Sequence, residues 1–397
     1  MSAEMTAPHR DRIEFLGPDR VIFGWDIVDS LGELIGGSAK VYLVVDNHVS
    51  HDPILVRAID SVRDRHELSA WEHDGSEPVL EDVIGHGYEL SKEAIIVGVG
   101  GGSTLDTAKA LALMLAGARD LEAYEGADRV DFDLPRIIAV PTTAGTGSEV
   151  TGSCVLTSRK MNRKISIRSR KLQPSIAVLD PHFLASVPKQ VIRSSGIDAL
   201  AHAIEAYFST RANPVTDGLA LRAMSLLTPA LPFYYANPAD RCSAEAMIWG
   251  SCIAGIAFNS ARVGLAHAVA STIGPTTKLS HGVCVGLGLH QAVRVNLPTL
   301  NGKLSAMMAA LGVEIQSGQS AEQAILANLR VLYAAIELPW TAADAGRHFD
   351  VDDRLIDDIV GSGRLNTNPA RLGHEQLRSI LWLINGASPP GETGRPV

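Results

Sequence analysis

The chain has few cysteines and no useful pair among them. Cys154, Cys242, Cys252 and Cys284 are the only four; no two stand in a C-x-x-C spacing, and all lie in apolar or small-residue surroundings. That excludes a disulfide framework and predicts reduced core residues of a cytoplasmic protein. Long apolar runs are missing too. Every candidate is broken by charges or glycines before the roughly 20 residues that a membrane span needs. Residues 1–20 are polar and charged, without the apolar stretch of a signal peptide, and residues 1–12 read as a loose leader. A basic excess is also absent: 35 Lys and Arg stand against 44 Asp and Glu, a formal charge of −9. This argues against a general nucleic-acid binder, whose affinity rests on clustered cations. A soluble cytoplasmic protein with neither nucleic-acid nor membrane partners is expected. There is no internal repeat and no low-complexity tract.

What is present is a two-part texture. At 397 residues the chain exceeds the usual size of one domain, and 46% hydrophobic residues with 36 glycines suit a compact fold. In the first half, short apolar runs alternate with turn signals. Strands are expected at residues 21–24, 40–46, 94–99, 136–141 and 176–180, with a helix at 26–35 and a hairpin through Lys164-Ile-Ser-Ile-Arg168. After about residue 190, Ala/Leu-rich helical segments take over: 197–209, 215–231, 240–271 and 319–336. The expected architecture is an α/β domain with a parallel sheet over residues 1–190, then an all-helical domain over 191–397, the boundary falling near 185–195. The tail from residue 388, rich in Pro and Gly, is expected to be mobile.

Four stretches carry chemistry. Gly196-Ile-Asp-Ala-Leu-Ala-His202 places Asp198 and His202 four residues apart, on one helical face among alanines. The pair reads as a local hydrogen bond or as half of a divalent-metal site. His267, late in the expected 240–271 helix, and His281, opening the next segment, each read as a satisfied interior histidine or a ligand. Together the four make a one-carboxylate, three-imidazole set suited to Fe²⁺ or Zn²⁺. In Gly100-Gly-Gly-Ser-Thr-Leu-Asp-Thr-Ala-Lys109 a buried strand runs into three glycines and a helix. Its spacing matches neither G-x-G-x-x-G nor a P-loop, yet it suits a phosphate cradle better than a plain turn. The hydroxyl-rich loop Pro141-Thr-Thr-Ala-Gly-Thr-Gly-Ser-Glu-Val-Thr151 follows another strand; its threonines can serve their own backbone, but two such loops in one sheet favour a shared ligand. Asp46 ends a β-branched strand, where a carboxylate either caps the next segment or binds an adenosine ribose and repels a 2′-phosphate. The basic run of residues 159–171 is mostly a solvated face, with one lysine in reach of a cofactor.

These motifs, in this order, resemble the iron-dependent (group III) alcohol dehydrogenases, the family that includes lactaldehyde reductase and 1,3-propanediol dehydrogenase. Ala254-Gly-Ile-Ala-Phe-Asn259, leading to His267 and to His281 fourteen residues later, completes the match, which covers roughly residues 13–385. The resemblance implies a Rossmann-like N-terminal domain, a helical C-terminal domain and an active site in the cleft between them. It implies that Asp198, His202, His267 and His281 hold the metal. It also implies that Gly101, Gly102, Ser103, Asp106, Thr142, Thr143, Ser148, Thr151 and Lys164 contact NAD(H), with Asp46 favouring NAD over NADP. The implied activity is hydride transfer between nicotinamide and a small alcohol or aldehyde by a homodimer, with Fe²⁺ preferred and Zn²⁺ acceptable. Three departures stand out. Ser271 sits where many members carry a further histidine, and reads as a proton relay of reduced capacity. Glu77-Pro78 replaces Asn-Pro. Arg262 is either a surface residue or a contact for an anionic substrate end. The alternatives are therefore a reductase of a carboxylate-, sulfonate- or phosphonate-bearing substrate, and a metal-free enzyme resembling maleylacetate reductase.

Overall fold

The computed structural model describes residues 15–87 and 93–387; the expected leader and tail lie outside them. Six strands form a wholly parallel sheet in the order β1-β9-β6-β4-β2-β3. They are β1 (Arg20–Phe23), β2 (Lys40–Asp46), β3 (Glu67–His73), β4 (Ile95–Gly100), β6 (Ile137–Pro141) and β9 (Ile176–Leu179). The short β5 (Gly126–Ala127), with the hairpin β7 (Ser153–Ser158) and β8 (Arg163–Arg168), makes a second sheet of three strands.

The apolar run of β2 reflects its two covered faces. Tyr42 and Val44 join the core beneath α4 (Gly102–Leu115). Val41, Leu43 and Val45 join the core on the opposite side, with α1 (Leu31–Ile35) and α2 (Pro53–Arg63). From β2 the chain runs outward to β3; from β4 it runs the other way, to β6. The topological switch therefore lies between β2 and β4, whose carboxyl ends carry Asp46 and Gly100.

Helices take over at Lys189. α5 (Lys189–Phe208) is buried almost continuously from Gly196 onward and packs against α6 (Pro214–Ala236), α7 (Arg241–Ala261) and α9 (His281–Asn296). α8 (Leu265–Thr277), α10 (Leu304–Leu311), α11 (Ala321–Ala335), α12 (Asp353–Gly361) and α13 (His374–Asn385) complete this part; α3 (Leu80–Gly87) belongs to the first. Among the described residues no single helix is long and apolar enough to cross a membrane.

Three expectations need correction. The continuous helix over 240–271 is two helices bent by 100°, α7 and α8. The chain breaks at Arg262, whose φ is +72°, and His267 falls in the first turn of α8 rather than late in a long helix. The expected 26–35 helix opens as a 3₁₀ turn, Ile27–Ser30, because the Asp180 carboxylate accepts the N–H groups of Asp26 and Val28. Cys242, in the first turn of α7, is exposed; the other three cysteines are free and buried.

Close approach of α5 and α9 depends on Gly282, where a Cβ would stand 1.9 Å from the Ser194 carbonyl oxygen. Gly282→Ala is expected to lower stability by about 2 kcal/mol or more through overpacking. Gly218→Ala, in α6 with no neighbour near the added Cβ, is expected to raise it by about 0.5–1 kcal/mol. Urea unfolding of the two variants checks this, and equal effects would refute the close packing.

Candidate active site

Helix α5 brings the site together. Asp198 and His202 leave its buried face one turn apart, while His267 and His281 arrive from the starts of α8 and α9. His267 Nε2 lies 3.3 Å and His281 Nε2 3.9 Å from Asp198 Oδ1. Donor atoms of these three residues all fall within 4.8 Å of one another. His202 stands apart from that trio. Its Nδ1 lies 3.2 Å from the Gly145 carbonyl oxygen, and its ring stacks on Phe258 and His267 at 4.0 and 4.5 Å.

Asp198 Oδ1 and His267 Nε2 are buried and, despite their 3.3 Å approach, have no hydrogen-bond partner. Buried polar atoms are nearly always paired, so two convergent unpaired donors of N and O type fit a divalent cation. The electrostatics agree. Burial alone would raise the Asp198 carboxyl, but His202, His267 and His281 hold it well below the usual carboxylate range. Burial pushes His202 and His281 down to about 4, so both are neutral near pH 7. His281 nonetheless keeps a side chain 45% exposed, whereas Asp198, His202 and His267 are buried. His267 behaves oppositely: burial would lower it, but Asp198 and Glu205 raise it to about 9.

Glu205 is the residue that the sequence reading missed. Its carboxylate accepts the Ala266 N–H at 2.6 Å, capping α8, and meets His267 Nδ1 at 2.6 Å. It thereby turns Nε2 toward Asp198, as carboxylates behind metal-binding histidines do. The available signal was its place on the Asp198 helix, seven residues on.

On the α/β side, α4 starts at Gly102 without a side-chain cap. A Cβ at Gly100 or at Gly102 would come within 2.6 Å of Thr104 or Thr146, whereas Gly101 faces Thr143 at ordinary contact distance. Thr142 is buried and its N–H donates to the Gly100 carbonyl, so the 142–151 loop rests on the glycine turn. The same loop reaches α5: a Cβ at Gly145 would stand 2.5 Å from Ser195 Cβ. Ser103 lies in the first turn of α4, and Thr151 is buried where the loop enters β7.

Asp106 and Ser148 are drawn into a buried network. Lys109 Nζ donates to Ser148 Oγ at 2.7 Å, and Ser148 Oγ donates to Asp106 Oδ1 at 2.7 Å. Asp106 Oδ2 accepts the Val155 N–H. Burial raises the Asp106 carboxyl and lowers the Lys109 amine, each partly offset by the other. Asp46 Oδ1 accepts the His48 N–H at 3.0 Å and lies 2.8 Å from His48 Nδ1. The strand-end carboxylate thus caps the following turn. Lys164 pairs with Glu77, joining the basic hairpin to the Glu-Pro departure. The Ser271 hydroxyl donates to the Ala268 carbonyl of its own helix at 2.9 Å. Arg262 sits in the α7–α8 break, half-buried.

With the geometry in place, comparison with known proteins decides the family. The sequence model for iron-containing alcohol dehydrogenase matches residues 18–181, and that for the Fe-containing alcohol dehydrogenase family, C-terminal, matches residues 192–383. The chain belongs to the iron-containing alcohol dehydrogenase family. It is 32% identical over 380 residues to 1,3-propanediol dehydrogenase of Citrobacter freundii, covering 93% of this chain and 97% of that one. Among solved structures it resembles a 1,3-propanediol oxidoreductase, with a TM-score of 0.86 at 30% identity over 94% of this chain and 100% of that one. It also resembles sulfoacetaldehyde reductase from Bifidobacterium kashiwanohense in complex with NAD⁺, with a TM-score of 0.83 at 26% identity over 94% and 99%. Fold and oxidoreductase class therefore agree with the reading of the motifs.

To ligate a cation, His267 must give up a proton that it holds to about pH 9. Its raised pKa stabilises the metal-free protein below pH 6.5, and this contribution is lost as pH rises through about 9. Affinity for Zn²⁺ is accordingly expected to climb from pH 6.5 to 9, at most about tenfold per unit. Glu205→Gln is expected to weaken it roughly 10- to 100-fold. Competition with a chelator across this range measures both; an affinity flat in pH would contradict the assignment.

Proposed function

We propose that this chain is a metal-dependent NAD(H) alcohol dehydrogenase, or aldehyde reductase, acting on a small substrate. The observation that carries the reading is the convergence of Asp198, His267 and His281, with two buried donor atoms left unpaired. His202 is the fourth ligand: its Nδ1 is tied to the Gly145 carbonyl, which leaves Nε2 as its free donor. When bound, the divalent cation supplies Lewis-acid polarisation of an alcohol or carbonyl oxygen, and the nicotinamide supplies the hydride carrier.

The chain's own residues supply placement. The glycine turn at the end of β4 lets a pyrophosphate approach the start of α4 closely. Asp46, at the end of β2, disfavours a 2′-phosphate and so selects NAD(H). Gly145 belongs to the loop that rests on the glycine turn and touches His202, so cofactor and metal residues are held in fixed relation. Glu205 fixes the ring of His267. The substrate's proton exchanges with water on the His281 side, since the Ser271 hydroxyl is engaged by its own helix. A metal-free reductase would have no use for a buried Asp198 with an unpaired oxygen. A cytoplasmic homodimer is proposed as the working unit, on the family resemblance alone.

Chelator-stripped protein is expected to lose NADH oxidation with short aldehydes and to regain it with Fe²⁺ or Zn²⁺. Asp198→Ala is expected to cost roughly 100-fold or more, beyond the loss typical of an outer residue. NADPH is expected to be the poorer reductant, and Asp46→Ala to narrow the difference. Turnover that survives stripping would overturn the metal reading.

A further inference from the structure

We propose that the substrate of this site bears an oxyanion (a sulfonate, carboxylate or phosphonate) at the end remote from its reacting oxygen, held by Arg262 and Arg364 with Arg168 and Arg211 beside them. The proposal rests on the oxidoreductase reading above and deepens it.

Three chain segments meet beyond the metal residues: the end of α5, the α7–α8 break and a 3₁₀ turn at Arg364–Thr367. They are laced together by hydrogen bonds. Ser209 Oγ donates to the Ala261 carbonyl at 2.5 Å, the Thr210 N–H to the Thr367 carbonyl at 2.9 Å, and Thr367 Oγ1 to the Val263 carbonyl at 2.6 Å. Each segment carries one arginine: Arg211, Arg262 and Arg364. A fourth, Arg168, ends β8 on the α/β side, and its charge is felt by both Arg262 and Arg364. Among the described residues, none of the four guanidinium groups has a hydrogen-bond or ion-pair partner.

Acid compensation is thin. Asp128 acts on Arg262 from a distance, and Glu205 acts on Arg364 while already serving Ala266 and His267. Burial and like-charged neighbours lower Arg262 to about 10, and burial and Arg168 lower Arg364; an anion among them relieves both effects. Backbone conformation singles out Arg262. Its φ of +72° lies in the region that glycine occupies without cost. A half-buried arginine there marks a side chain whose placement is used. The planar guanidinium fork matches carboxylate, sulfonate and phosphonate oxygens in paired hydrogen bonds.

Position along α5 separates this subsite from the cofactor. The loop resting on the glycine turn meets the helix at Ser195, the metal donors lie at 198 and 202, and the arginine segments gather where it ends at Ser209. His202 and Ser209 are on the order of 10 Å apart along the axis, a gap that arginine side chains and a short substrate span together.

The test uses full-length, metal-loaded enzyme with NADH. Small aldehydes ending in a sulfonate, carboxylate or phosphonate are compared with propanal, in the wild type and in Arg262→Gly, Arg262→Lys and Arg364→Ala. Arg262→Gly suits the left-handed backbone and is expected to fold. The wild type is expected to favour at least one anionic aldehyde at least tenfold in kcat/KM, and the best of the three identifies the oxyanion. Arg262→Gly is expected to lose at least tenfold more on the anionic substrate than on propanal, chiefly in KM, with partial rescue by Arg262→Lys. Calorimetry with propane-1-sulfonate reads the subsite without turnover: binding is expected in the wild type and at least tenfold weaker in Arg262→Gly. No preference together with no binding, or equal losses on both substrates, overturns the proposal. Sulfonate binding lost in Arg262→Gly, in a protein that reduces no aldehyde, would keep the subsite and overturn the oxidoreductase reading instead.

Discussion

A buried carboxylate organises this active site. Glu205 takes the Ala266 N–H, in the first turn of α8, on one oxygen and the imidazole of His267 on the other, both at 2.6 Å. Burying a carboxylate is costly unless every lone pair is used; here a helix N-terminus and a histidine offset the cost. The break at Arg262–Gly264 follows from this. Gly264 lies against Glu205, where a Cβ would come within 3.3 Å of its oxygen, and Asn368 accepts the Leu265 N–H from the other side. Asn368 is in turn locked to Asn296 at the end of α9 by two amide hydrogen bonds. The helix carrying His267 and the helix opened by His281 are thereby fixed to the one that carries Asp198.

Charge is distributed with the same economy. Without a cation, positive charge at the centre is carried by His267, while His202 and His281 stay neutral. The His267 imidazolium and the Asp198 carboxylate face each other at 3.3 Å, and the attraction between them partly offsets the cost of burying each. The neighbouring α/β site is organised differently. Lys109, Ser148 and Asp106 close on one another inside the protein, tying α4 to the loop that rests on the glycine turn.

Sequence legibility followed local spacing and failed where tertiary contacts decided. Asp198 and His202 were readable because four residues on a helix put two side chains on one face. The β2 and β4 strands were readable because both faces are buried and nothing polar interrupts them. β3 went unnoticed because it is an edge strand, Glu67–His73, whose exposed positions break the apolar pattern. The α7–α8 break was hidden for another reason. Residues 259–264 contain no proline, and the signal, Arg262 in a left-handed conformation, is set by the polar contacts of Glu205, Asn368 and Thr367 rather than by local preference. Glu205 was overlooked because a glutamate in a helix ordinarily faces water. The relay role expected of Ser271 rests on its position alone, and its hydroxyl donates to the Ala268 carbonyl.

The central claim is that Asp198 and the three histidines form one metal centre. X-ray absorption at the zinc edge, on stripped protein reloaded with one equivalent of Zn²⁺, tests it most directly. The account predicts a shell of nitrogen and oxygen donors at about 2.0–2.1 Å, with the outer-shell scattering of several imidazole rings. A sulfur shell near 2.3 Å, or a water-like oxygen shell without imidazole scattering, would contradict it.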